Sequence, residues 1–334
     1  MSGGDALAAV FRRQAEHFEM LGAPAYARLA GRLAVDPAPA ARVLGDDESW
    51  YAALRLFGAV HYLVLTGVAP EALSGWDQLL QALTRHEDAL RAFVAAQDVQ
   101  TNEVQRCVGL LPCFLTVAQE TGLPLELLEL GASAGLNLQF DRYRYRYARG
   151  TWGPDDALVA FDVADRGTVP PGLLKTPLVV RARSGVDLAP VDATSDEGML
   201  LLRAFVWPGR DDRLQRLRGA ATTMALAGRP RLVAGDYVQL LPSLLDARPS
   251  DAATVVFQTA STGYIGADGR ATLRATLERA GADGRPLAWV STRASEEREG
   301  DDDSSWELEL RLWPGPARLA ARLDFHGNWV EWLG

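Results

Sequence analysis

The residues with the most chemistry in this sequence sit where an apolar run, Leu125–Leu130, passes directly into five small ones, Gly131-Ala132-Ser133-Ala134-Gly135. Glycine accepts φ > 0 and lets the backbone approach a ligand closely. A strand that enters such a turn can therefore present backbone N–H groups to a bound nucleotide, above all where the turn opens a helix. Glu129 precedes the turn and Asn137 follows it, which makes Glu129, Gly131, Ser133, Gly135 and Asn137 one candidate cofactor cluster. Later apolar runs end in polar groups as well. Leu178–Val186 ends at Asp187, whose carboxylate suits the paired hydroxyls of a ribose. Arg231–Ala234 ends at Asp236, suited to an adenine amino group, with Tyr237 behind it to stack. Thr254–Gln258 delivers Gln258 to a cofactor and Thr259 to a substrate. Open α/β sheets bind ligands at the carboxyl ends of their strands, so recurrence at successive ends is the signal.

The same turn also matches G-x-S-x-G, the nucleophile elbow of hydrolases, with Ser133 as nucleophile, His326 as base and Asp187 or Asp236 as orienting acid. That fold needs strands ahead of the elbow, whereas the 120 residues upstream have helical spacing and hold no HGGG-type segment. For proton transfer the candidates are His326 and Glu103. Asn102 and Arg106 share a helical face with Glu103 beside them, a group that can meet a substrate. Trp207-Pro208 with Arg213 and Arg216 offers a further wall, with core packing for the tryptophan and solvent for the arginines as the simpler expectation. The four histidines are scattered without the spacing of a zinc site, so no metal is expected. Cys107 and Cys113, six residues apart on a helix, fall on different faces and predict two thiols rather than a bridge.

The elements that must position these groups change character along the chain. Amphipathic spacing predicts helices over 11–21, 50–65, 79–95 and 101–119, with proline and glycine breaks near 23, 36, 38 and 67–75 and a kink at Pro112. From Leu123 onward the short apolar runs 125–130, 178–186, 231–234, 254–258 and 287–290 suit strands of a parallel sheet covered on both faces. Helices fit at 196–206, 210–227, 238–246 and 268–281, and an antiparallel pair at 306–313 and 319–323. The expected architecture is α/β: a helical domain over 1–120, then a Rossmann-like sheet over 121–334 with a terminal antiparallel hairpin. An insertion over 140–177 alternates Tyr143, Tyr145 and Tyr147 with Arg142, Arg144 and Arg146, so a strand there separates tyrosines from arginines and offers Tyr143 to a substrate. Glu296–Asp303 reads as a solvated loop.

A formal charge of −9 argues against non-specific nucleic-acid binding. No run of 18 uncharged apolar residues predicts a membrane span, and the first residues lack the pattern of a signal peptide, so a cytoplasmic location is expected.

Glu129–Gly135, then Gly185-Val-Asp-Leu-Ala-Pro190, then Gly235–Pro242 resemble the first three cofactor motifs of class I methyltransferases, a likeness covering roughly residues 120–334. It implies S-adenosylmethionine as cofactor and a small-molecule substrate as methyl acceptor; the terminal hairpin suits that fold, whose last strand inserts antiparallel. Over its whole length the chain resembles a bacterial domain-of-unknown-function family, DUF2332, through Gln100–Arg106, Glu129–Tyr143 and His326–Leu333. That family carries no settled activity. A nicotinamide-dependent oxidoreductase and a catalytically silent nucleotide-binding protein remain as alternatives.

Overall fold

The computed structural model describes residues 3–166, 169–293 and 305–334. The acidic stretch Glu296–Asp303 lies outside them. The chain forms two compact units: Met1–Thr101 with Val191–Gln215, and Asn102–Pro190 with Arg216–Gly334.

The first unit contains α1 (Gly3–Met20), α2 (Pro24–Val35), α3 (Ala38–Leu44), α4 (Ala52–Leu65), α5 (Trp76–Arg85) and α6 (Glu87–Ala96). The prolines expected only as breaks also start helices. Pro24 opens α2 and Pro39 lies in the first turn of α3, where a missing N–H leaves no hydrogen bond unmade. The single helix expected over 79–95 is two, divided at His86. Aromatic rings knit the core: Phe18 meets Tyr26, Phe57 and Trp207 edge-on at centroid distances of 5.2, 5.7 and 5.1 Å. Trp207 comes from the second piece of this unit, which the sequence reading assigned to the sheet domain. Phe205 shows why that piece belongs here: its ring lies so near Gly58 that a Cβ there would be 2.5 Å away. Arg213, expected in solvent, is buried over the Trp207 ring at 5.2 Å.

The second unit begins with α7 (Cys107–Thr121), which the sequence reading placed in the helical domain. It continues with β1 (Leu125–Leu130), β2 (Arg144–Tyr147), β3 (Gly150–Trp152), β4 (Ala160–Asp162), β5 (Ala164–Asp165) and β6 (Val180–Asp187). After α8 (Asp196–Ala204), part of the first unit, come α9 (Asp211–Ala227), β7 (Arg231–Ala234), α10 (Tyr237–Asp246), β8 (Ala253–Gln258), α11 (Ala267–Gly281) and β9 (Leu287–Thr292). The chain closes with β10 (Ser305–Leu312), β11 (Ala317–Asp324) and β12 (Trp329–Trp332).

Among the described residues nine strands make one sheet, in the order β5-β12-β11-β10-β9-β8-β1-β6-β7. The five runs expected to be parallel are so: β1 pairs with β6 and β8, β6 with β7, and β8 with β9. Every residue of β8 and β9 is buried, the reason their sequences are continuously apolar rather than alternating. On one face α7 supplies Phe114, which packs edge-on against Phe257 of β8 at 5.2 Å. On the other, Leu241 and Leu245 of α10 and Leu273 and Leu277 of α11 cluster with Leu128, Val256 and Trp289. The expected antiparallel pair is β10 and β11. No last strand inserts between them and β9: β10 itself pairs antiparallel with β9, and β11 and β12 follow outward in chain order.

A three-stranded sheet, β3-β2-β4, occupies the insertion. Its tyrosine face is internal, and each hydroxyl donates to a backbone carbonyl: Tyr143 to Leu136 (2.7 Å), Tyr145 to Phe140 (2.8 Å) and Tyr147 to Val108 (2.7 Å). Tyr143 is therefore fully buried and does not offer itself to a substrate, which corrects its expected role. The arginine face pairs with acids, Arg144 with Asp155 and Arg146 with Asp162. The Tyr147 bond answers a defect in α7: Pro112 has no N–H to donate to the carbonyl four residues back, which is that of Val108. Tyr147→Phe should lower unfolding free energy by about 1–3 kcal/mol, the cost of an unsatisfied buried carbonyl. Chemical denaturation measures this, and a variant as stable as wild type contradicts the account.

Candidate functional site

The turn after β1 curls over the end of β6, because the N–H groups of Gly131 and Ala132 both donate to the Val186 carbonyl (2.8 and 3.1 Å). Gly131 has φ +69°, and a Cβ there would lie 2.4 Å from Ser261 Cβ, so no other residue fits. Ser133 also has positive φ, at 52°, and its N–H donates to Asp187 Oδ2 at 2.7 Å. Asp187 Oδ1 accepts from the Ala189 N–H (3.0 Å), and the Asp187 carbonyl accepts from Gly235 N–H (2.8 Å). The turn, Asp187 and the Gly235-Asp236 corner thus form one hydrogen-bonded line along the carboxyl ends of β1, β6 and β7. Past Gly135 the expected helix is absent. A seven-residue 3-10 stretch, Leu136–Arg142, takes its place, so the glycine turn itself opens no α-helix.

Several residues expected at a ligand are committed elsewhere. Asp236 is half-buried and caps α10, its Oδ1 accepting from Val238 N–H at 2.7 Å. Tyr237 lies in the apolar cluster under α10 and α11 and donates its hydroxyl to the Ser261 carbonyl (3.1 Å), so its ring presents no stacking face; burial pushes its phenol up to about 12. Gln258 is fully buried, with Nε2 shared between Thr262 Oγ1 (3.1 Å) and the Thr292 carbonyl (3.2 Å). Thr259 stays half-buried at the strand end.

Beneath the turn is a buried polar trio. Asn137 Nδ2 donates to Glu129 Oε1 (2.9 Å), and the Cys107 thiol donates to Asn137 Oδ1 (3.4 Å). Asn137 is therefore held inside rather than offered to a cofactor. Glu129 Oε2 has no hydrogen-bond partner among the described residues. Burial pushes the Glu129 carboxyl up to about 8, with the Asn137 bond pulling it down, the Asp187 charge raising it and Arg106 lowering it. The group is mostly protonated at neutral pH. It stands in the site as a neutral acid.

Residues 102–106 strap the turn to the segment between β11 and β12. Asn102 Nδ2 donates to the Ala132 carbonyl (3.0 Å), Gln105 Nε2 to the Gly327 carbonyl (3.0 Å) and Arg106 Nε to the Phe325 carbonyl (3.0 Å). The Arg106 guanidinium also lies 4.6 Å over the Trp306 ring. Arg106 is buried among these contacts, a correction to its expected substrate contact. Glu103 Oε1 accepts from Gln105 N–H (3.1 Å) and Arg216 Nε (3.3 Å), so it positions the strap and explains Arg216. His326, buried between the carbonyls that hold Arg106 and Gln105, is fixed by its chain neighbours on both sides.

Reading along the sequence missed Ser261, whose hydroxyl donates to the Leu130 carbonyl (2.8 Å) and whose Cβ walls Gly131. Its neighbour Thr262 starts the lining of a cleft of about 620 Å³, counted out to its mouth, which also takes in Trp289 and Arg270. The small, polar run after β8 was the only signal. Among the described residues no three His, Cys, Asp or Glu side chains gather as metal ligands, and no helix is long and apolar enough to cross a membrane.

The fold and site define a mixed α/β protein with a glycine turn braced by an acid from the neighbouring strand and by a preceding strap. The chain belongs to the family described as uncharacterized protein conserved in bacteria (DUF2332), whose model matches residues 8–332. No curated protein matches it.

Glu129 makes stability depend on pH with a definite sign. Below about pH 4.5 the carboxyl is protonated in both folded and unfolded chains, so its contribution is complete. As pH rises toward about 8 only the unfolded chain ionises, and stability falls. Glu129→Gln, which keeps an acceptor for Asn137, should remove that part of the fall in a denaturation series from pH 4.5 to 8.5. A series parallel to wild type contradicts it.

Proposed function

We propose that the protein is a methyltransferase-like enzyme that uses S-adenosylmethionine and acts on a small-molecule acceptor, with a Rossmann-like sheet as its frame. What supports the reading is strand order. β1 lies at the centre, β6 and β7 run off to one side, β8 and β9 to the other, and ligands favour the carboxyl edge where such order reverses. One observation carries it: the Ser133 N–H bond to Asp187 at 2.7 Å, which brings the glycine turn and the acid of the next strand together.

The residues fit a nucleoside by capacity. A carboxylate has about four lone-pair sites; backbone N–H groups take two on Asp187, leaving room for two ribose hydroxyls. Gly131 and Gly135 let Ser261 and Pro230 close against the bend, and half-buried Asp236 is the candidate for the base. When bound, the sulfonium supplies the methyl group. The protein's part is to align the acceptor with it and to hold a base for the acceptor's proton, a role assigned to His326. The acyl-transfer alternative through Ser133 has less support, because Asp187 and Asp236, its orienting acids, hold backbone N–H groups instead.

S-adenosylhomocysteine at a hundred times its Kd should stabilise the wild-type protein by about 2.7 kcal/mol. Asp187→Asn, which retains one oxygen for the turn, should lose most of that gain, as read by thermal unfolding. No protection at millimolar ligand overturns the reading. A fluorophosphonate probe is expected to leave the protein unlabelled; labelling that Ser133→Ala abolishes would move the assignment to acyl transfer.

A further inference from the structure

We propose that β7 is a self-complementary docking edge, on which a second copy of this chain pairs its own β7 antiparallel about a twofold axis. β7 ends the nine-stranded sheet, with β6 as its strand partner among the described residues. Its side chains are open: Arg231 and Ala234 are exposed and Leu232 and Val233 half-buried, whereas every residue of β8 and β9 is buried. Which backbone groups face outward follows from one bond. Gly235 N–H donates inward to the Asp187 carbonyl (2.8 Å). Such groups alternate between the two edges of a strand, so Leu232 and Ala234 turn N–H and C=O away from β6. An edge of that kind is a template for another strand.

The outward residues fix one register. Leu232 of each copy stands opposite Ala234 of the other and exchanges N–H···O bonds with it, and Val233 meets Val233 on the axis. Pro230, which has no N–H, and the start of α10 after its cap Asp236 bound the pairing at its two ends. Charge complementarity selects a second copy as the occupant. A charge alone blunts an edge, but β7 has a guanidinium at its first residue, Arg231, and a carboxylate just past its last, Asp236. Antiparallel pairing sets Arg231 opposite Gly235 and beside Asp236 of the second copy, so each copy adds a cation to the other's carboxyl edge. That local attraction opposes the repulsion between two chains of net charge −9. Apolar surface is arranged the same way. Leu226, 79% exposed, precedes the strand, and Leu188, 70% exposed, follows the residue of β6 that aligns with Ala234. The twofold turns the Leu226 end of one copy toward the Leu188 end of the other. The contact rests on β7 and not on the methyl-transfer reading.

The test is sedimentation velocity of the full chain over a concentration series, with cysteine crosslinking to read the register. Wild type should sediment as a reversible dimer. Ala234→Pro removes an outward N–H, and Arg231→Glu sets acid beside acid; each should weaken the dimer Kd about tenfold or more while the far-UV circular dichroism stays that of wild type. Should Ala234→Pro fold poorly, Arg231→Glu and the cysteine variants decide alone. Val233→Cys should give a disulfide-linked dimer under mild oxidation, because its Cα atoms face each other at about 4.5 Å across the axis. Ala234→Cys, more exposed but off the axis, should stay unlinked, and the native Cys107 and Cys113 are buried. A chain that remains monomeric to millimolar concentration overturns the proposal. So does a dimer left intact by Arg231→Glu and Ala234→Pro alike, or one that Ala234→Cys links in preference to Val233→Cys.

Discussion

A backbone amide held at positive φ inside a tight turn has no strand partner, and in this protein an acid from the neighbouring strand takes it. The Ser133–Asp187 bond is charge-assisted, stronger than a neutral amide pair. It ties the end of β1 to the end of β6. With the bend held there, Gly131 can sit against Ser261, and the Ala132 carbonyl can face Asn102. Three remote segments thus lean on one small-residue turn. Two of these contacts, from Asp187 and Asn102, supply partners to backbone groups that the bend withdrew from the sheet.

Beyond the bend, the sheet carries polar groups whose capacity is not used up among the described residues. Glu129 Oε2 and Trp289 Nε1 have no hydrogen-bond partner there, and burial keeps the Glu129 carboxyl protonated at neutral pH. Burying such groups costs free energy. A fold concentrates them where a ligand will meet them or where one rigid arrangement is worth the loss. Both flank the strands on which the proposed chemistry depends.

The insertion shows how a missing helix is compensated. Pro112 leaves one carbonyl of α7 without its usual donor, and the carbonyls of the 3-10 stretch have a second lone pair to offer. Three tyrosines on alternate positions donate hydroxyls to that Val108 carbonyl and to those of Leu136 and Phe140. Their alternation with arginine was plain in the sequence. Which face turned inward was not, because period two marks the existence of two faces and is silent about the neighbour that covers one of them.

The sequence alone determined the five parallel strands of the sheet. Unbroken apolar runs between Gly, Pro and Asp mark β1, β6, β7, β8 and β9, since a strand covered on both faces needs no polar alternation. It also located the glycine turn and Asp187, because small residues and an acid at strand ends are local facts of composition. Only the tertiary structure decided that Val191–Gln215 joins the helical unit, through Phe205 against Gly58 and Trp207 against Phe18. It alone turned Tyr237, Gln258, Arg106 and Asn137 inward, and brought Arg270 and Arg274 to the same cleft as Trp289. A residue's type limits which hydrogen bonds it can make. Its partner is chosen by whatever long-range packing brings within about 3 Å.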